Sequence, residues 1–294
     1  MIIENVVGII GWPVSHSVSP QMHNRAFLEL GLLNWSYVPM PVHDAPKSRV
    51  GEAVLGLRAL GFRGANVTVP YKEMVLPYLD RLSADAQAIG AVNTIVVNAN
   101  GLLEGHNTDG VGYINDLVNH GIGCKGLRAI MLGAGGSARA IAYGLLSHDV
   151  KRLMLLNRTK AKADEIASHF RPRFTDAQID ADSLTKESFT QALSSADIII
   201  NTTSIGLNNK DEELPFLADM SFSSSQIVYD IIYNPSTTAL LTRAAACNAR
   251  ILNGLGMLVH QGALSFEIWT GRKAPINAMH EEAIKAIYEK RPHP

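Results

Sequence analysis

The sequence predicts an α/β fold in two units with a helical tail. Three observations carry this. β-branched apolar runs alternate with segments of helical period through the first third of the chain. Further on, MLGAGGSARA at 131–140 sets a glycine-rich turn between an apolar strand and an alanine-rich helix, opening a βαβ series. From residue 254 onward the pattern is helical throughout, with no further strand run.

In chain order, VVGII is a buried strand closed by Gly11-Trp12-Pro13. Ser19-Pro20 opens a helix on which Met22, Ala26, Phe27 and Leu30 share one face, with Pro20 at its first position and Gly31 at its end. WSYVPMPV is the second strand, VGEAVLGLRALGF the next helix and GANVTVP the third strand. Asn66 and Thr68 alternate with valines there and share a face. Pro70 lacks an N–H and ends the ladder, leaving Lys72 in the following loop. AVNTIVV and LLEGHNTDG form a hairpin-type pair around Asn98 to Gly101. The second unit starts near the helix GVGYINDLVNHG. Its strands are RAIML, KRLMLLN, ADIIIN and QIVYDII, a series suited to a parallel sheet with helices on both faces.

The 294 residues suffice for one large or two modest domains, and 47% hydrophobic against 18% charged residues means a packed core rather than disorder. Twenty-six basic residues balance 27 acidic ones, so no global field favours nucleic acid or an anionic membrane as partner. Two cysteines, Cys124 and Cys247, fit a reducing compartment without a disulfide framework. With neither a basic leader at the N-terminus nor a membrane-spanning apolar run, the expected location is the cytoplasm. Of the ten histidines, His16, His23 and His280 beside Glu281 lack a ligand set, so no metal is expected.

Gly133 permits a tight turn and Gly135 lets the backbone approach a pyrophosphate, which the N–H groups and dipole of the following helix would hold; Ala138 takes the third small position. The plainer reading is a tight turn with no ligand. Where an NAD-type site carries an acidic residue, this chain reads Asn157-Arg158-Thr159, with Lys160 and Lys162 beyond. A guanidinium suits a ribose 2′-phosphate, so NADP(H) is favoured over NAD(H) unless these cations merely solvate a helix start.

Polar residues gather at the element ends of the first unit: Ser17, Ser19, Asn66, Thr68, Lys72, Asn93 and Asp109. Hydroxyls, amides and one ammonium would suit a polyhydroxylated acid. Each also has a plainer role. Ser19 or Asp109 caps a helix, Asn66 and Thr68 satisfy strand ends, Asn93 stabilises a turn, and Lys72 is a solvated charge. Taken one at a time, the plainer role accounts for most of them.

As a group the motifs GWPVSHSVSP, GANVTVPYKE, GAVNTIV, NTDGVG, GAGGSARA, NRTKAK, NTTSIG, YDIIYNP and GLGMLVHQGA closely resemble the shikimate dehydrogenases and their shikimate/quinate dehydrogenase relatives. They run in family order from residue 8 to about residue 267. The resemblance implies an N-terminal substrate-binding and catalytic α/β domain, residues 1–108 plus 257–294, to which the last helices return. It also implies a Rossmann-type NADP-binding domain, residues 109–256. The implied activity is reversible, NADPH-dependent reduction of 3-dehydroshikimate to shikimate by a monomer or homodimer. Carried over by motif position, Ser17 and Ser19 hold the substrate carboxylate. Asn66, Thr68, Asn93, Asp109 and Gln261 bind hydroxyls or the reacting oxygen. Lys72 and Asp109 are the catalytic pair, and Tyr233 sits near the substrate. Gly133, Ala134, Gly135, Gly136 and Ser137 form the phosphate loop, and Asn157, Arg158, Thr159 and Lys162 surround the adenosine phosphate. Thr203, Ser204, Ile231, Gly254 and Met257 line the rest of the cofactor site.

Departures are few. Lys162 stands where many relatives have arginine and cannot bind phosphate bidentately. Ile231 and Ile232 fill positions that vary in the family. Three rivals are a shikimate/quinate dehydrogenase using NAD or NADP, a silent metabolite-binding regulator, and a metalloenzyme. Keeping Lys72, Asp109, Asn93 and Gln261 together argues against the regulator, since a pure binder needs no proton pair.

Overall fold

The structure, a computed structural model, describes residues 3–43, 48–207, 209 and 212–289. In chain order the regular elements are β1 (Asn5–Gly11), α1 (Ser19–Glu29), β2 (Trp35–Pro41), α2 (Ser48–Ala59), β3 (Gly64–Val67), β4 (Arg81–Leu82), α3 (Ala84–Ile89), β5 (Thr94–Val97), β6 (Leu103–His106) and α4 (Asp109–Asn119). There follow β7 (Arg128–Leu132), α5 (Gly136–Leu146), β8 (Arg152–Asn157), α6 (Lys160–Phe170), β9 (Gln178–Ser183), α7 (Lys186–Leu193), β10 (Ile198–Asn201), β11 (Ile227–Asp230), α8 (Ala239–Ala246), β12 (Arg250–Leu252), α9 (Leu255–Thr270) and α10 (Ile276–Glu289). Two compact units divide the chain, Met1–Gly112 with Leu258–Pro294, and Tyr113–Met257, so the divisions fall inside α4 and α9.

The first unit is built on a mixed sheet of order β2-β1-β3-β5-β6-β4. β1 runs parallel to β2 and β3, whereas β5 is antiparallel to both its neighbours. The β5–β6 hairpin lies where the sequence places it. Asn98 Oδ1 accepts from the N–H groups of Asn100 and Leu102, folding the tip. The third strand is shorter than its sequence pattern, ending at Val67. Thr68 still donates its N–H to Ile10, and the Tyr71 N–H then bonds back to the Thr68 carbonyl, turning the chain before Lys72. Pro13, Pro70 and Pro235 follow cis peptide bonds.

α1 packs on β2 and α10. It starts at Ser19, one residue ahead of the expected proline start, and no side chain caps it, so capping is not what Ser19 does. His23 of α1 is wholly buried, its ring stacked on Tyr37 at 4.4 Å between centroids and tilted against Trp269 at 5.6 Å. Neither ring nitrogen has a hydrogen-bond partner. Burial pushes this imidazole down to about 3, so it is neutral at physiological pH.

The second unit carries an all-parallel sheet of order β12-β11-β10-β7-β8-β9, a doubly wound arrangement whose order reverses between β7 and β10. Its strands are near-continuous apolar runs because helices cover both faces; Ile198, Ile199 and Ile200 are all fully buried. The edge strand β9 escapes a hydrophobic-pattern reading because it is half-exposed and carries Asp180 and Asp182; the Arg152 guanidinium holds Asp180 at 3.0 Å. No helix among the described residues is long and apolar enough to cross a membrane.

Candidate active site

In the first unit, Lys72 and Asp109 meet although the chain brings one from the loop after β3 and the other from the start of α4. Lys72 Nζ donates to Asp109 Oδ2 at 2.5 Å, with side chains 12% and 5% exposed. So little exposure makes this a semi-enclosed ion pair rather than a solvated surface charge. Asp109 is the first residue of α4, and both of its carboxylate oxygens are engaged, the second by Asn93 Nδ2 at 2.8 Å. The Asn93 amide has one orientation, because its oxygen accepts from the Thr108 backbone N–H at 2.8 Å. Its nitrogen is therefore committed to Asp109, to Thr108 Oγ1 at 2.8 Å, and to Gln261 Oε1 at 3.3 Å. Four expected site residues, Lys72, Asp109, Asn93 and Gln261, thus form one bonded cluster.

Asn66, expected as a substrate contact, has its amide engaged by neighbouring protein groups. The side chain is buried and fully partnered within the protein. Its oxygen accepts from the Tyr37 hydroxyl at 2.9 Å, and its nitrogen faces the Asn93 carbonyl, Thr94 Oγ1 and Ser265 Oγ at 3.0–3.1 Å. It braces the floor of the cluster from below. Thr94, Thr108 and Ser265, which the sequence reading missed, complete that floor: the Thr94 and Ser265 hydroxyls are 2.8 Å apart and both residues are fully buried. Thr94 and Thr108 lie beside chosen residues in AVNTIVV and HNTDG, so adjacency was the available signal. Ser265 had none.

Ser17 and Ser19 sit in the turn from β1 to α1, where Ser17 Oγ accepts the Ser19 N–H at 3.2 Å. That turn is tied to the Thr68–Lys72 loop by a bond from the Trp12 N–H to the Val69 carbonyl at 3.1 Å. Thr68 is half-buried there.

In the second unit the phosphate-loop residues lie between β7 and α5. Gly133 has φ +106°, and a β-carbon there would crowd Thr202 Oγ1 at 2.6 Å, so no other residue fits the turn. Gly135 is the N-cap of α5 with no capping side chain, and a β-carbon on it would meet open space. An uncapped eleven-residue helix with clear access to its first N–H groups fits a bound pyrophosphate. Ala134, Gly136 and Ser137 are half-buried around it. Beyond β8, Arg158, Thr159 and Lys162 are exposed, and Asn157 Nδ2 donates to the Thr159 carbonyl at 2.9 Å. Two cations and a hydroxyl there fit a 2′-phosphate, whereas Lys160 is already held by Asp182 at 3.3 Å.

Thr203 is drawn to Asn201, whose Oδ1 accepts from its hydroxyl at 2.7 Å and its N–H at 3.1 Å; Ser204 beside it is exposed. Ile231 and Tyr233 follow β11, and both are half-buried. A β-carbon on Gly254 would collide with the Ile231 carbonyl, so the chain after β12 passes directly over that backbone. Met257 packs into the apolar core that holds Tyr113 and Tyr229. Asp230, at the end of β11, is wholly buried, and burial raises its carboxyl above the ordinary value despite three hydrogen bonds that act the other way. Among the described residues no group of three or more His, Cys, Asp or Glu side chains is placed to hold a metal ion.

Comparison with known proteins gives a consistent result. Residues 9–95 match the shikimate dehydrogenase substrate-binding domain, residues 116–212 the shikimate/quinate 5-dehydrogenase family, and residues 254–284 the shikimate 5′-dehydrogenase C-terminal domain. A shikimate dehydrogenase (NADP+) of Geobacillus kaustophilus is 44% identical over 288 residues, 97% of this chain and 99% of that protein. A crystal structure of a shikimate dehydrogenase in complex with NADP+ superposes with a TM-score of 0.87 at 39% identity, covering 98% of each chain. The shikimate 5-dehydrogenase of Thermus thermophilus in complex with NADP(H) and shikimate gives 0.82 at 34% identity, covering 97% of this chain and 100% of that one. Near-complete coverage at this identity, on a fold with the same substrate and nucleotide halves, leaves one conclusion: the chain belongs to the shikimate dehydrogenase family.

Proposed function

We propose that this chain catalyses the reversible, NADPH-dependent reduction of 3-dehydroshikimate to shikimate, with Lys72 as the proton-transfer group. The observation that carries the assignment is the 2.5 Å contact of Lys72 with Asp109, itself fixed by Asn93. NADPH, when bound, supplies the hydride. Lys72 delivers a proton to the oxygen of the ring carbonyl during reduction and takes it back from the hydroxyl during oxidation. Asp109 orients the ammonium while its other oxygen is pinned by Asn93, so the lysine has one preferred direction. Ser17 and Ser19 receive the substrate carboxylate, and Thr68 and Gln261 read its hydroxyls. Cys124 and Cys247, both free thiols, support a reducing cytoplasmic setting.

A four-way assay of shikimate and quinate, each with NADP+ and NAD+, tests the assignment. Shikimate with NADP+ should give the highest kcat/KM, and quinate with NAD+ leading would overturn it. Within the same assay Arg158→Ala should raise the KM for NADPH about 10- to 100-fold, the size of a lost charge-assisted contact. The KM for NADH should barely move. Equal effects on both cofactors would remove Arg158 from phosphate recognition.

A further inference from the structure

Asn201 and Asp230 are the last residues of β10 and β11 and pair in register across the sheet. The Asp230 carboxylate accepts three bonds: Oδ1 from Asn201 Nδ2 at 3.0 Å and from the Ile232 N–H at 3.0 Å, Oδ2 from the Thr238 hydroxyl at 2.7 Å. All three donors are neutral, and the residue is 0% exposed. Burying a carboxylate without a counter-ion is unfavourable. The bonding pattern does not require it. An amide at this position would satisfy the same partners, its oxygen facing Asn201 and Ile232, its nitrogen donating to the Thr238 hydroxyl, which can also accept. The acidic residue therefore calls for a reason that the hydrogen bonds do not provide.

Its place in the sheet provides one. The phosphate loop follows β7 and the cationic adenosine end follows β8, so a dinucleotide crossing at the reversal of strand order lays its other half over the carboxyl ends of β10 and β11. The nicotinamide ring is a cation when oxidised and neutral when reduced. A fixed negative charge under that edge interacts with one form and not with the other, and in a dry setting it is little screened.

We propose that Asp230 is an electrostatic tuning residue: its buried carboxylate makes the nucleotide unit hold NADP+ more tightly, relative to NADPH, than the same unit would without that charge. The inference rests on the cofactor reading above. The full chain, titrated separately with NADP+ by calorimetry and with NADPH by its fluorescence at pH 8, provides the test. In Asp230→Asn and Asp230→Ser the ratio of the Kd for NADP+ to that for NADPH should rise roughly six- to seventeen-fold, as expected for one unit charge acting over about 10–15 Å at an effective dielectric constant near 20. The rise should come mainly from weaker NADP+ binding. Thr238→Val, which removes a bond and keeps the charge, should leave the ratio where it is in the wild type. An unchanged ratio in either charge-removing variant that keeps the wild-type circular dichroism would overturn the proposal and leave Asp230 as a clamp between loops. A wild-type chain binding neither nucleotide would instead overturn the cofactor reading, and this inference with it.

Discussion

Lys72→Met should lower turnover about 10²- to 10⁴-fold, the usual loss when one acid/base group is removed. NADPH affinity should stay nearly constant, because Lys72 belongs to the substrate unit and the phosphate loop to the other. Methionine keeps the length and apolar stem of lysine, so the loss would report the ammonium and not a packing defect. The substitution also takes the ammonium from Asp109 while leaving its bond to Asn93. Wild-type turnover in this variant would remove Lys72 from the chemistry and with it the assignment of the site.

His23→Leu should flatten the acid limb of the stability curve. The imidazole titrates near 6.5 in the unfolded chain and at about 3 in the fold, so below pH 6.5 the unfolded state binds the extra proton. The folded pKa is depressed, and stability is therefore full above about 6.5 and drains away as the pH falls towards 3. At pH 4.5 the wild type should have lost roughly 2–3 kcal/mol relative to pH 7 through this residue alone. Leucine has no proton to bind and fills a similar volume against Tyr37 and Trp269, and at neutral pH it replaces two unpartnered nitrogens with carbon. Urea denaturation of both proteins at pH 7 and pH 4.5 measures the difference. Equal losses in the two would mean that His23 takes up its proton in the fold or is hydrated there.

The two effects come from a single polar and aromatic column in the first unit. His23 stacks on Tyr37, the Tyr37 hydroxyl bonds Asn66, and Asn66 supports the strand and turn that carry Asn93. None of this was legible in residue order. A histidine between apolar neighbours at helical spacing looks the same whether its nitrogens find partners or not. Asn66 alternates with valines, and which distant groups its amide meets shows only in the fold. In the second unit β9 was overlooked for a related reason. An edge strand with aspartates on its open side carries no apolar alternation, and its pairing to β8 is what makes it a strand.

Apart from the short or edge strands β4, β9 and β12, the alternation of strands and helices, the glycine turn after β7 and the helical tail were readable from the chain, and the family motifs singled out Lys72, Asp109, Asn93 and Gln261. Each depends on residues a few positions apart or on motifs quoted whole. Periodicity sets which face is buried, and a proline or glycine sets where an element stops, so such signals survive in one dimension. The partnerships came only with the tertiary structure. Lys72 and Asp109 are 37 positions apart, and Asn66 and Ser265 are 199 apart. Whether a polar side chain is free for a ligand or spent on the fold depends on which distant donor or acceptor lies within about 3 Å. Residue order does not encode that distance; the packing of the sheet against α9 does.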